Sequence, residues 1–177
     1  MPSSTDLRYP IGPFTPTVPS STAVRQAAVA EIVALPRRMR DAVAGLSDAQ
    51  LDTPYRPDGW SVRQVVHHVA DSHMNGLTRL KLALTEDVPT IKPYDEKAWS
   101  GLADARLPVE ISLAILDNVH ARWCAVYEEV TAAQFERTFF HPGLGKAQTL
   151  DHQVQLYAWH SKHHVAHITA LRQREGW

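Results

Sequence analysis

Apolar positions recur along this chain at three- and four-residue steps in four long stretches, and between them the period is lost. Val24, Ala28, Ile32, Leu35, Met39, Val43 and Leu46 make the first series, which predicts a helix with one buried face. Ser21 or Thr22 is placed to cap it, Pro36 predicts a kink or short break inside it, and the helix ends near Gly45. The second series opens at Ser61 and runs to about Thr85 through Val62, Val65, Val66, Val69, Leu77, Leu80 and Leu84. The third spans about Val109 to Val130 through Leu116, Val119, Trp123, Val126 and Val130. In the fourth, Leu150, Val154, Tyr157, Ser161, Val165, Ile168 and Leu171 share a stripe, and Gly176 supplies a C-terminal stop.

The intervening segments read as connections. Residues 1–20 carry five prolines and no sustained apolar core, which predicts an extended arm on the surface or partial disorder, and no secretory leader. Pro54, Pro57, Asp58 and Gly59 form a loop. Residues 87–108 hold three prolines with Tyr94 and Trp99 and no period, a long crossover with room for a helical turn. Residues 138–149 are turn-rich, a simple connection or a short hairpin. Ser47-Asp-Ala-Gln-Leu-Asp52, with the spacing of a capping box, is echoed by Thr131-Ala-Ala-Gln-Phe-Glu136. Each copy follows a long amphipathic helix and leads into a helix bearing histidines. The expected fold is therefore all-α: residues 21–177 as a single four-helix bundle of two helical hairpins, with a long crossover between helices 2 and 3.

Composition narrows the function. The 177 residues are 44% hydrophobic and 21% charged, with a formal net charge of −1. No basic tract favours nucleic acid or a membrane surface, and no apolar run is long enough to span a bilayer. The single cysteine, Cys124, precludes an internal disulfide and suits a cytoplasmic protein. It sits in a helical apolar region, where a buried structural thiol is expected over a nucleophile.

The ten histidines are the outstanding chemistry. On the last helix His164 falls inside the apolar stripe and His160 on its edge, one turn apart, the spacing with which a helix offers two imidazoles to one metal ion. His163 and His167 share that spacing, but His163 points further from the stripe. On the second helix His73 lies on the stripe, where a core histidine bonded to a neighbour is the plain alternative. His68 flanks it in line with Ser61, Ser72, Asn75 and Arg79. His67 flanks the other side with Arg63, Asp71 and Lys81, a more charged edge expected to be wetter. Periodicity ranks His73 and His68 above His67 and does not choose between them. His120, His141 and His152 read as surface or packing residues.

Trp60-Ser-Val-Arg-Gln-Val-Val-His-His68 resembles the second-helix motif of the DinB superfamily, in which a tryptophan precedes a metal-binding histidine by eight positions. The His160–His164 pair, followed by Ala-His-Ile, is similar to that superfamily's second motif. LDTPYRPDGWSVRQVVHHVADSHMN, IKPYDEKAW and YAWHSKHHVAHI, with YPIG near the start, resemble its YfiT-like branch over nearly the whole chain. Members of that branch are described as metal-dependent hydrolases and as bacillithiol S-transferases. The resemblance implies a four-helix bundle, one divalent ion, Zn2+ or Ni2+, held by His68, His160 and His164, and a cytoplasmic homodimer. Departures fall in surface segments and at Lys162, away from the three ligand positions.

Three imidazoles leave a coordination position open, as in catalytic sites. Two reactions fit. A metal can lower the pKa of bound water to about 7 and hydrolyse a substrate with metal-bound hydroxide, or it can deprotonate a low-molecular-weight thiol that attacks an electrophile. The resemblance leans towards S-transfer of a bacillithiol-type thiol; a hydrolase is the alternative, and a non-catalytic metal-binding module the third reading. No Glu-x-x-His pairs favour a dinuclear centre. Asn75 and Arg79 are candidates for orienting an anionic substrate, Asp71 and Asp151 for holding ligand N–H groups, and Tyr94 and Trp99 for covering the mouth.

Overall fold

The computed structural model describes residues 6–177; the first five residues of the proline-rich arm lie outside it. Four long helices carry the fold: α1 (Thr22–Val43), α3 (Val62–Thr85), α5 (Val109–Glu129) and α6 (Leu150–Glu175). Two single-turn helices, α2 (Asp48–Leu51) and α4 (Glu96–Trp99), interrupt the connections. Ser21 caps α1 through the Val24 amide, Ser61 and Gln64 form a capping box on α3, and Thr149 caps α6. Gly176 ends α6 in the left-handed region at φ 72°. α1 runs through Pro36 as one helix, so the expected break does not occur; the carbonyl that Pro36 leaves without its amide partner finds another donor, described below.

Each long helix packs on two neighbours: α1 on α5 and α6, α3 on the same pair. Helices joined through the shorter connections, α1 with α3 and α5 with α6, therefore face each other across the diagonal. One apolar cluster joins Leu35 and Met39 of α1, Val62–Val69 of α3, Val109–Leu116 of α5 and Ile168 and Leu171 of α6. The other joins Ala28 and Ile32, Leu77 and Leu80, Trp123 and Tyr127, and Leu150–Tyr157. The order in which each helix meets the clusters shows that α1 runs parallel to α6 and α3 parallel to α5. Parallel neighbours cannot be joined by a tight turn. The chain must travel back along a helix of 24 residues, roughly 36 Å at 1.5 Å per residue, which is why residues 86–108 form a long crossover.

The sequence echo is also a structural one. Ser47 and Gln50 exchange capping-box bonds, and Thr131 and Gln134 do the same before a 3₁₀ turn. A short antiparallel contact between Pro54 and Ser61 precedes α3. A two-stranded hairpin, β1 (Thr138–His141) and β2 (Lys146–Thr149), precedes α6, with Thr138 opposite Thr149. The first residue of each following helix donates its amide back across the turn, Val62 to Thr53 and Leu150 to Arg137. Between the two apolar clusters lies a polar waist where α3, α5 and α6 all place histidines. Cys124 is half-buried on α5, and burial raises its thiol pKa.

Candidate metal centre

His68 on α3 and His160 and His164 on α6 converge at this waist, each offering a ring nitrogen within 4.8 Å of the others. The Nε2 atoms of His68 and His160 are 3.3 Å apart. Two ligand nitrogens about 2.0–2.1 Å from a tetrahedral ion stand about 3.3–3.4 Å from each other, so this pair already has the spacing of two ligands on one ion. Antiparallel packing of α3 on α6 sets the heights, and Trp60, just before α3, lies against the His68 ring with centroids 4.5 Å apart. That contact gives the Trp-to-His spacing of eight a physical meaning: the indole braces the imidazole.

Burial keeps the rings neutral. It pulls the pKa of His68 down to about 4 and holds those of His160 and His164 well below the usual imidazole range. At neutral pH no proton competes for the lone pairs. The Nδ1 of His164 is buried without a hydrogen-bond partner. A donor set of neutral imidazoles with no carboxylate in it suits a borderline-soft transition ion and not Mg2+ or Ca2+. His163, His164 and His167 form a second grouping of the same kind. It shares His164, and His167 already donates Nε2–H to the Arg8 carbonyl at 3.1 Å.

A cavity of about 360 Å³ opens over the rings, lined also by Arg8, Tyr9, Tyr55, Arg56, Trp60, Glu96 and Trp159. The arm forms one wall. Trp159 Nε1 donates to the Gly12 carbonyl at 3.1 Å, and Gln155 holds Thr17 through both its amide and its carbonyl. Gly12 turns the chain at φ 80°, so the YPIG segment brings Tyr9 to within 5.8 Å of the His163 ring. Tyr55 stacks on His167 at 3.9 Å and Trp159 on His163 at 4.2 Å. A larger cavity, about 680 Å³ and lined by Asp48, Asp52 and Arg63, holds no histidine cluster. Of its two arginines, Arg63 is already paired with both aspartates.

The model of the DinB superfamily matches residues 31–168. The chain belongs to the DinB superfamily. Among its relatives, proteins of Bacillus licheniformis and Bacillus cereus, both named "Putative metal-dependent hydrolase", are 49% and 51% identical to it over 172 residues, covering 97% of this chain and 98% and 99% of theirs. A solved structure, "YfiT from Bacillus subtilis is a probable metal-dependent hydrolase with an unusual four-helix bundle topology", superposes with a TM-score of 0.94 at 48% identity, over 97% of this chain and 98% of that one. The parallel α1/α6 and α3/α5 neighbours give this DinB bundle its own unusual wiring.

Other expected site residues fall elsewhere. Asn75 spends its amide on the Asp71 carbonyl of its own helix at 2.9 Å, and neither it nor Arg79 lines the cavity. The cations that do are Arg8 and Arg56, from the arm and the loop before α3. Asp151 accepts from Arg25 at 2.6 Å, locking α6 to α1 far from the waist. Tyr94 and Trp99 pack against each other with tilted rings, centroids 4.4 Å apart, and the crossover contributes Glu96 to the mouth instead. His67 is not on a wet edge: it is buried, with Nδ1 2.6 Å from Ser112 Oγ and Nε2 donating to the Leu107 carbonyl at 3.0 Å. A 3₁₀ turn of the crossover, Ala103–Arg106, packs on α3 beside it. His120 is buried as well, between α1 and His73. Its signal in the sequence was Pro36, which strips the Ile32 carbonyl of its helical partner.

Proposed function

We propose that this protein is a metal-dependent S-transferase in which His68, His160 and His164 hold one Zn2+ or Ni2+ per chain. Its substrate is a low-molecular-weight, carboxylate-bearing thiol of the bacillithiol type, which it passes to an electrophile in the cytoplasm as part of a homodimer. The convergence of three neutral imidazoles beneath a cavity with two arginines at its mouth carries this reading. A divalent cation held by these three rings would supply the Lewis acidity that lowers the pKa of a thiol or a water. The chain does the rest. Arg56 attracts and orients a carboxylate, Arg8 stands at the same mouth with its guanidinium on the exposed carboxylate of Asp6, which an anionic substrate would displace, and Glu96 also lines the cavity. The rings of Tyr9, Tyr55, Trp60 and Trp159 exclude water from the histidines.

Hydrolysis is the second reading, favoured by the names of the Bacillus relatives, and the same site serves it. Purified protein, with and without chelator, is offered a panel of thiols together with a chromogenic electrophile, and separately a set of model esters. Chelator-sensitive consumption of an anionic thiol, well above that of a neutral thiol, is the expected result. Ester cleavage alone would establish the hydrolase, and neither activity in metal-loaded protein would leave a metal-binding module.

A further inference from the structure

Behind His160, on the side away from the cavity, two more histidines continue into the core. His160 Nδ1 lies 3.2 Å from His73 Nε2, His73 Nδ1 lies 2.9 Å from His120 Nε2, and His120 Nδ1 lies 2.7 Å from the Ile32 carbonyl. His73 is wholly buried and His120 nearly so. The Ile32 carbonyl is four residues before Pro36, whose ring nitrogen has no proton to give it. A carbonyl only accepts, so His120 must carry its proton on Nδ1. A neutral ring has one N–H, which leaves His120 Nε2 a bare acceptor. His73 must then donate from Nδ1 and accept at Nε2, and His160 must likewise donate from Nδ1. The direction is forced ring by ring from the carbonyl outwards, and it ends with a lone pair on His160 Nε2, the atom that faces His68.

We infer that His73 and His120 are positioning residues for the three-histidine centre, a buried relay that reads the Pro36-freed carbonyl of Ile32 and fixes His160 in the Nδ1–H tautomer with Nε2 presented to a metal ion. This rests on the ligand set proposed above. An acceptor on the far nitrogen of a ligating imidazole fixes the ring's orientation and raises its basicity, and bonds in such a chain polarise one another. Burial holds the rings neutral, with the pKa of His120 pulled down to about 4 and that of His73 well below the ordinary value. Trp123 and Tyr157 meet His73 edge-on, with centroids 5.5 and 5.1 Å away, and keep water from its nitrogens.

The tautomers are measured first, in chelator-treated wild-type protein labelled with nitrogen-15 histidine, by long-range proton–nitrogen correlation. His120, His73 and His160 are expected as three Nδ1–H rings; an Nε2–H ring among them overturns the relay. Zinc affinity is then measured by competition with a chromophoric chelator. His73→Phe keeps an aromatic ring but removes the acceptor behind His160 and should weaken binding about 10- to 100-fold, while His67→Gln, a change at another buried and bonded histidine outside the relay, leaves it unchanged. Equal affinity in wild type and His73→Phe overturns the proposal. Pro36→Ala is the milder variant, since alanine favours helix and returns an amide to Ile32. His120 should shift towards Nε2–H and zinc binding should weaken, and no change in either removes Pro36 and His120 from the relay. Wild-type protein that takes up no zinc while showing three Nδ1–H rings would refute the ligand set and leave the relay standing.

Discussion

Gly76 has no side chain, and the space this leaves on α3 is taken by Trp123 and Tyr157. An added Cβ would fall 2.6 Å from the Tyr157 ring and closer still to Trp123, which is wholly buried. Alanine gains about 1 kcal/mol of helix propensity there, but overpacking a rigid core costs about 1–3 kcal/mol. Gly76→Ala is expected to lower the thermal midpoint and to disturb the two rings that wall His73; an unchanged or higher midpoint counts against so tight a fit. The histidines separate by the partners of their nitrogens. His164→Ala should lose the bound metal and His67→Ala should keep it while losing about 1–3 kcal/mol of stability, the cost of stranding Ser112 and the Leu107 carbonyl. Metal content by elemental analysis with a denaturation curve reads both. Helical periodicity left His68 and His73 level, and both are buried; one faces a cavity and the other a neighbouring ring. A wheel reports direction from one axis and nothing of what stands opposite, which is why His67 read as wet. Aligning α3 and α6 on their first residues sets His68 opposite Leu156 and His160 opposite Ser72. The repeat therefore does not extend to the histidines and could not have chosen among them.

The four long helices were legible because their apolar stripes are long and their caps sit at the ends, and the hairpin before α6 was half-legible from its turn residues. The arm was legible only as an arm. Its composition announces an extended segment, yet its docking depends on single bonds from α6, which no pattern in residues 6–20 encodes. Those bonds place Arg8 and Tyr9 on the cavity, so the arm is a functional element as well as a covering. Trp159→Phe keeps an aromatic ring on His163 and removes the bond to the Gly12 carbonyl, a loss of about 0.5–1.5 kcal/mol, or roughly 2- to 10-fold in arm docking. Limited proteolysis within the arm should quicken and KM for an anionic thiol should rise by about that factor, with metal content unaltered. Loss of metal in this variant would show instead that the arm braces the ligand rings.

Across the molecule, the waist trades stability for chemistry. A four-helix bundle could fill its centre with aliphatic side chains; this one sets neutral histidines between two apolar clusters, and their neutrality has a consequence for acid stability. Burial lowers the pKa of His68, His120, His163 and His167 to about 4 each, against an ordinary value near 6.5 in the unfolded chain. Above pH 6.5 both states are unprotonated and these rings leave stability independent of pH. As pH falls from 6.5 towards 4, the unfolded chain binds protons that the native state excludes. Stability then drops by about 1.4 kcal/mol per pH unit for each ring. Four rings together lose more than about 5 kcal/mol per unit, comparable to the whole stability of an ordinary domain. Chelator-treated protein should therefore unfold cooperatively near pH 5, and a bound divalent cation should move that midpoint to lower pH because it binds only the folded chain. Denaturant titrations at pH 7.5, 6.5, 5.5 and 4.5 measure the slope. A midpoint flat from pH 7.5 to 5 would mean that the rings are solvated or charged in the native state, and the neutral lone pairs on which metal capture depends would go with it.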